Sequence, residues 1–259
     1  MIVDSGGHAV HALAIGDRGG PALLLVHGAA MDRASWRGQS LPLAREGVRV
    51  IVPDLPGHGA SPGPAASSVE AIAGLLATVL DAAGIRAATV AGHSLGALAA
   101  LSLAMRHPQK VSGLVLFGAS LPMPVGEAFL AAARDGDAAA IEMQAQWGHA
   151  RLAPLAPSGM PGLSLTDLAR RQVARAAPGA QHAGLAACHA FVASDADLAR
   201  IAVPVAVVTG TRDAMTPARA GEALAGRIPG ARTVRVDAGH SMLAEAPQAC
   251  LAALREALE

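Results

Sequence analysis

The chain has no tyrosine, three phenylalanines and two tryptophans among 259 residues, so a ligand pocket built from it is expected to be lined by aliphatic groups. It lacks net charge as well: 20 Lys plus Arg balance 20 Asp plus Glu, and no field of one sign draws it to nucleic acid or an anionic membrane. Neither is an expected partner. Cysteine is sparse. Cys188 and Cys250 form no CxxC and stand in no Cys/His cluster at metal spacing, so both read as free packing thiols, and no metal or cofactor is implied. Although 52% of the residues are hydrophobic, much of this is alanine, and no uninterrupted apolar run nears the ~20 residues of a membrane-spanning helix. The opening MIVDSGGHAVHALAIGD has no basic segment followed by a continuous apolar one, so a cytoplasmic location is the expectation. No tandem repeat is visible.

What is present is alternation. Six short β-type runs occur at 22–28, 48–54, 87–93, 111–118, 203–210 and 231–237, and most are apolar runs rather than alternating ones, as strands covered on both faces require. Helical stretches fall near Trp36–Glu46, Val69–Ala83, Leu95–His107, Pro217–Ile228 and Pro247–Leu258. This order predicts an α/β fold with a doubly wound, mostly parallel sheet. Ser67 and Glu70 have capping-box spacing, and Thr216 before Pro217 reads as a helix N-cap. From Leu121 to Arg200 the alternation stops, and alanine-rich helical pieces are broken by Pro154, Pro157, Pro161 and Pro178. The expected division is a core of 1–120 and 201–259 with a helical cap at 121–200.

In an open parallel sheet, ligands bind beyond the carboxyl ends of the strands, and polar residues cluster there in this chain. Ser94 follows AATVAG inside Gly-x-Ser-x-Gly, where Gly92 and Gly96 permit a tight strand-turn-helix elbow. With 29 Gly and 14 Ser, chance supplies roughly 0.17 such matches, so the motif alone proves little. Asp213 follows VAVVTG and His240 follows TVRVD, which completes a Ser, Asp, His order. Asp237, Asp195 and Asp197 are other carboxylates that this reading weighs against Asp213.

These residues and their surroundings resemble the α/β-hydrolases. Beside AGHSLG, LLLVHGAAMDRASW (23–36) is similar to the family's oxyanion loop, and VIVPDLPGHGAS (50–61) to its Asp-x-Pro-Gly-His-Gly-x-Ser turn. GTRDAMTP (210–217) and DAGHSMLAEAP (237–247) look like its acid and histidine loops. The resemblance implies a serine hydrolase of the esterase type acting on a small-to-medium apolar carboxylic ester or lactone. Ser94 is then the nucleophile, His240 the general base and Asp213 its orienting acid, with the backbone N–H groups of Ala29 and Leu95 as oxyanion donors. Carbon–carbon bond hydrolase, perhydrolase or haloperoxidase and acyltransferase are alternatives on the same triad, and a small-molecule receptor is an alternative of another class.

The remaining residues divide by position. His27, His58 and Asp54 are expected to order loops, and Trp36 to pack. His93 either shapes the elbow or touches substrate, and with Phe117, Met215, Met242 and Trp147 it forms the candidate substrate-binding set. Met123, Met143, Met160, His149, His182 and His189 are further candidates within 121–200. A monomer and a homodimer are both compatible with the sequence.

Overall fold

A chain of apolar strand segments separated by helices must cover both faces of its sheet, and the computed structural model has that form. It describes residues 1–5, 7–150 and 162–259. Pro154, Pro157, Met160 and Pro161 of the sequence reading lie outside the described residues. The strands are β1 (Ile2–Ser5), β2 (His8–Ile15), β3 (Ala22–Val26), β4 (Arg49–Pro53), β5 (Ala88–His93), β6 (Val111–Phe117), β7 (Val205–Gly210) and β8 (Arg232–Val236). They form one sheet in the order β1-β2-β4-β3-β5-β6-β7-β8, parallel from β4 through β8. The antiparallel β1 and β2 were not expected. In β2, HAVHALAI, two histidines interrupt the small apolar side chains, and this strand lies between β4 and β1, which is at the sheet edge.

The helices are α1 (Arg37–Arg45), α2 (Val69–Ala82), α3 (Leu95–Arg106), α4 (Glu127–Arg134), α5 (Ala138–Trp147), α6 (Leu165–Val173), α7 (Ala180–Ala190), α8 (Asp195–Leu198), α9 (Ala218–Gly226), α10 (Met242–Glu245) and α11 (Pro247–Glu256). Helices α4 to α8 all fall between β6 and β7. Two start signals act differently from expectation. Ser68, not Ser67, caps α2, accepting from the Ala71 N–H at 3.1 Å. Pro217 itself precedes α9, and the Thr216 hydroxyl is used elsewhere.

Period-two alternation along the strands sorts the core into two layers. Leu24, Val26, Val90, Leu114 and Leu116 face α2 and α3, while Leu23, Leu25, Ala91, Val115 and Phe117 face Trp36 and α11. The strand order reverses direction between β3 and β5, and such a reversal opens a crevice beyond the strand ends. The loops after β3 and β5, carrying Ala29 and Ser94, flank that crevice. Among the described residues no helix is long and apolar enough to cross a membrane.

Candidate active site

Ser94 occupies the single position between β5 and α3, with φ 54° and ψ −116°. A non-glycine residue there costs of order 1–3 kcal/mol, so its surroundings must hold it. The Ser94 N–H donates to the Phe117 carbonyl at 2.9 Å, pinning the turn to β6. Both flanking glycines are required by close approach. A Cβ on Gly92 would lie 2.0 Å from the Gly96 oxygen, and one on Gly96 would lie 2.3 Å from the Val26 oxygen. The Ser94 side chain is left half-buried at the edge of a cavity of about 220 Å³ that His240 also lines.

His240 and Asp213 come from the loops after β8 and β7. The His240 Nδ1 donates to Asp213 Oδ2 at 2.8 Å. That bond leaves Nε2 as the unprotonated nitrogen of the neutral ring. The other oxygen, Asp213 Oδ1, accepts from the backbone N–H groups of Met215 and Thr216, both at 2.8 Å, and the Thr216 hydroxyl donates to Oδ2 at 2.7 Å. Burial by itself would raise the Asp213 pKa, but the imidazole of His240 and these donors outweigh it and hold the carboxyl below its usual range. The competing carboxylates are engaged away from His240. Asp237 is exposed and paired with Arg212, Asp195 pairs with Arg227, and Asp197 accepts from Ser194 at the start of α8.

The side chains of Ala29 and Leu95, the candidate oxyanion donors, both pack against Gly184 of α7, where a Cβ would lie 2.8 Å from Ala29 Cβ and 3.1 Å from Leu95 Cδ2. Leu95 opens α3, so its N–H has no intrahelical acceptor. Two histidines build the loop beneath Ala29. The His27 Nδ1 donates to the Gly28 carbonyl at 2.8 Å, and its Nε2 accepts from the Leu55 N–H at 3.0 Å. The His58 Nδ1 donates to the Pro56 carbonyl, and its Nε2 accepts from the Ala30 N–H at 3.2 Å. Burial lowers both pKa values, His27 to about 3. Asp54 accepts from the Arg33 and Ala60 N–H groups and pairs with the Arg33 guanidinium.

Of the candidate substrate-binding set, Met215 and Trp147 line the cavity, the latter against Phe129 with ring centroids 5.7 Å apart. Phe117 and Met242 do not, and the expectation for them is corrected. Phe117 is fully buried on the opposite face of the sheet, edge-on to Trp36 at 5.5 Å, because alternation along β6 turns it there. Met242 is fully buried in the same layer. His93 is buried too, its Nε2 donating to the His240 carbonyl at 2.8 Å, and burial lowers its pKa to about 3.

Within 121–200, Met123 lines the cavity, His149 donates through Nδ1 to the Ala145 carbonyl, His189 accepts from the Val125 N–H, and Met143 packs against the core. His182 is half-buried on α7 and does not line the cavity. Val125, Phe129, Leu185 and Cys188 line it without having been anticipated, and burial pushes the Cys188 thiol up to about 12, so it stays protonated. Thr216 stands outside the candidate set because a threonine before Pro217 reads as a helix cap. Its spacing of three residues from Asp213 was the available signal.

Fold and strand-end loops together define the class: the chain belongs to the alpha/beta hydrolase fold family, whose model matches residues 21–247. It is similar to the pimeloyl-acyl-carrier-protein methyl ester esterase of Aromatoleum aromaticum, with 33% identity over 89% of this chain and 95% of that protein. Among solved structures, a thermophilic esterase from Thermogutta terrifontis aligns with TM-score 0.86 and 26% identity over 99% of this chain and 96% of that one. The enol-lactonase of Burkholderia xenovorans shares the fold, with TM-score 0.87 and 23% identity over 100% of this chain and 99% of that one.

Proposed function

We propose that this protein is a serine hydrolase that cleaves a small-to-medium apolar carboxylic ester or lactone through an acyl-enzyme. The observation that carries the reading is the His240–Asp213 contact of 2.8 Å beside a cavity that Ser94 and His240 line together. A neutral imidazole held by a buried carboxylate is the base a serine hydroxyl needs. Ser94 Oγ attacks the substrate carbonyl while His240 Nε2 takes its proton. The tetrahedral oxyanion is received by the N–H groups of Ala29 and Leu95, each worth ~10²–10³ in rate. Collapse breaks the bond to the leaving oxygen, which takes the proton from His240. Water then attacks the acyl-enzyme with His240 again as base, releasing the acid and free Ser94.

The lining of Met123, Val125, Leu185 and Met215, joined by Phe129 and Trp147, suits an apolar acyl group. The relatives named above as esterases support an ester substrate. Residues 121–200 form the cap over this site in our reading, the core being 1–120 and 201–259.

A fluorophosphonate probe and a panel of p-nitrophenyl esters from acetate to hexanoate test the proposal. Labelling at one site, lost in Ser94→Ala and His240→Ala together with ester turnover, is the expected result. Labelling that persists in Ser94→Ala, or a ligand bound tightly and released unchanged with no turnover, overturns it.

A further inference from the structure

Ala29 is held by two peptide groups, and only one of them is secured entirely by the sheet loops. The Gly28 carbonyl accepts from His27 Nδ1 at 2.8 Å and from the Met31 N–H at 3.2 Å, which sets the plane that carries the Ala29 N–H. The next peptide is gripped from two sides. Its N–H, on Ala30, donates to His58 Nε2, while its carbonyl, on Ala29, accepts from Gln144 Nε2 at 2.8 Å. Gln144 lies on α5, 115 residues away.

The orientation of the Gln144 amide follows from its neighbour. Gln181 Nε2, on α7, donates to the Ala140 carbonyl at 3.0 Å, so that atom must be nitrogen, and the Gln144 atom facing it at 2.8 Å must be oxygen. The remaining Gln144 atom is therefore a donor, aimed at Ala29. Ala30 meanwhile sits at φ 55°, a left-handed conformation that an alanine leaves when its restraints are removed. Rotation of the Ala29–Ala30 peptide is the available relaxation, and it changes ψ of Ala29 directly beside the oxyanion position.

We propose that Gln144 is a positioning residue that orients the Ala29 peptide for oxyanion binding, so that the helices between β6 and β7 complete a donor site the sheet loops leave half-secured. This rests on the role given to Ala29 above. Gln172 of α6 and Arg175, just beyond that helix, grip Asp32 at 2.7 Å each without touching the Ala29 peptide. Arg175→Ala therefore loosens the docking of these helices but leaves the Ala29 carbonyl bonded.

The experiment compares Gln144→Leu, Gln144→Glu and Arg175→Ala with the native chain in ester kinetics and in affinity for an aliphatic trifluoromethyl ketone. Hydrogen exchange of the 27–35 segment is followed alongside. In Gln144→Leu, kcat is expected to fall ~10-fold, less than loss of an oxyanion donor itself, with KM within about twofold, ketone affinity down by the same factor as kcat, and faster exchange. In Gln144→Glu the ionised carboxylate cannot donate but the protonated acid can, so its activity relative to native rises as pH falls through the carboxyl range. Arg175→Ala is expected to keep kcat within about twofold.

Unchanged kcat in Gln144→Leu, a drop shared equally by Arg175→Ala, or a Gln144→Glu ratio flat in pH overturns the proposal. Native protein without Ser94-dependent turnover fails the hydrolase reading instead, and the role of Gln144 falls with it. Should Gln144→Leu not fold, the pH-dependent ratio of Gln144→Glu decides.

Discussion

His93 Nε2 donates to the carbonyl of His240 across 2.8 Å, so the residue before the candidate nucleophile holds the backbone of the candidate base. The two rings lie 4.8 Å apart at 49°, and the link joins segments separated by 147 positions. A charged ring at His93 would have no counter-charge beyond the more distant Asp213, and burial keeps it neutral.

That neutrality has a pH signature in stability. His27 and His93 each fall from 6.5 to about 3 on folding, burial being the main cause, so between those values the unfolded chain binds more protons than the folded one. Stability is unaffected by these groups above pH 6.5 and falls as pH drops from there toward 3, at up to ~1.4 kcal/mol per pH unit for each histidine. Thermal melts from pH 8 to 4 should reveal the decline. His93→Gln and His27→Gln, whose amides supply the donor to His240 and the acceptor for Leu55, should each flatten it. A slope unchanged in both variants contradicts the assignment.

The acid loop predicts a graded loss. Asp213→Asn keeps the volume but puts the wrong tautomer on His240, and should lower kcat by ~10⁴. Thr216→Val removes a hydroxyl that donates to Asp213 Oδ2, so the carboxyl pKa moves up toward its ordinary value. We expect kcat to fall ~10-fold with KM little changed, as for other supporting hydrogen-bond partners. Thr216→Ser should restore most of it. Steady-state ester kinetics of the three variants decide the order.

Packing and specificity should separate cleanly between two phenylalanines. Phe117→Ala opens a hole against Trp36 in the buried layer and should cost ~3–5 kcal/mol of stability without altering the ester chain-length preference. Phe129→Leu, at the cavity edge beside Trp147, should shift that preference toward longer acyl chains with a smaller loss of stability. Denaturant melts and the ester panel, run on both variants, test this contrast.

Much of the fold was legible because its signals are local. The six expected strand runs became β3 to β8, and the five expected helices became α1, α2, α3, α9 and α11 within a few residues at each end. The close approaches at Gly92 and Gly96 follow from a tight strand-to-helix turn, which their spacing around Ser94 already carried. Strands β1 and β2 escaped because mixed small and polar residues leave no long apolar run, and the pairing of β2 with β4 is a long-range choice.

The sequence by itself determined the order of strand-end loops and the candidate residues they carry, since glycine spacing, apolar runs and turn residues constrain only their own neighbourhood. Tertiary structure decided which neighbours face the cavity. Phe117 ends a strand in register with His93, yet the two-residue alternation and the bulk of Trp36 turn its ring to the far layer. Thr216 on Asp213, His93 on His240 and Gln144 on Ala29 were likewise set by the folded chain, because each contact depends on where distant backbone groups come to rest.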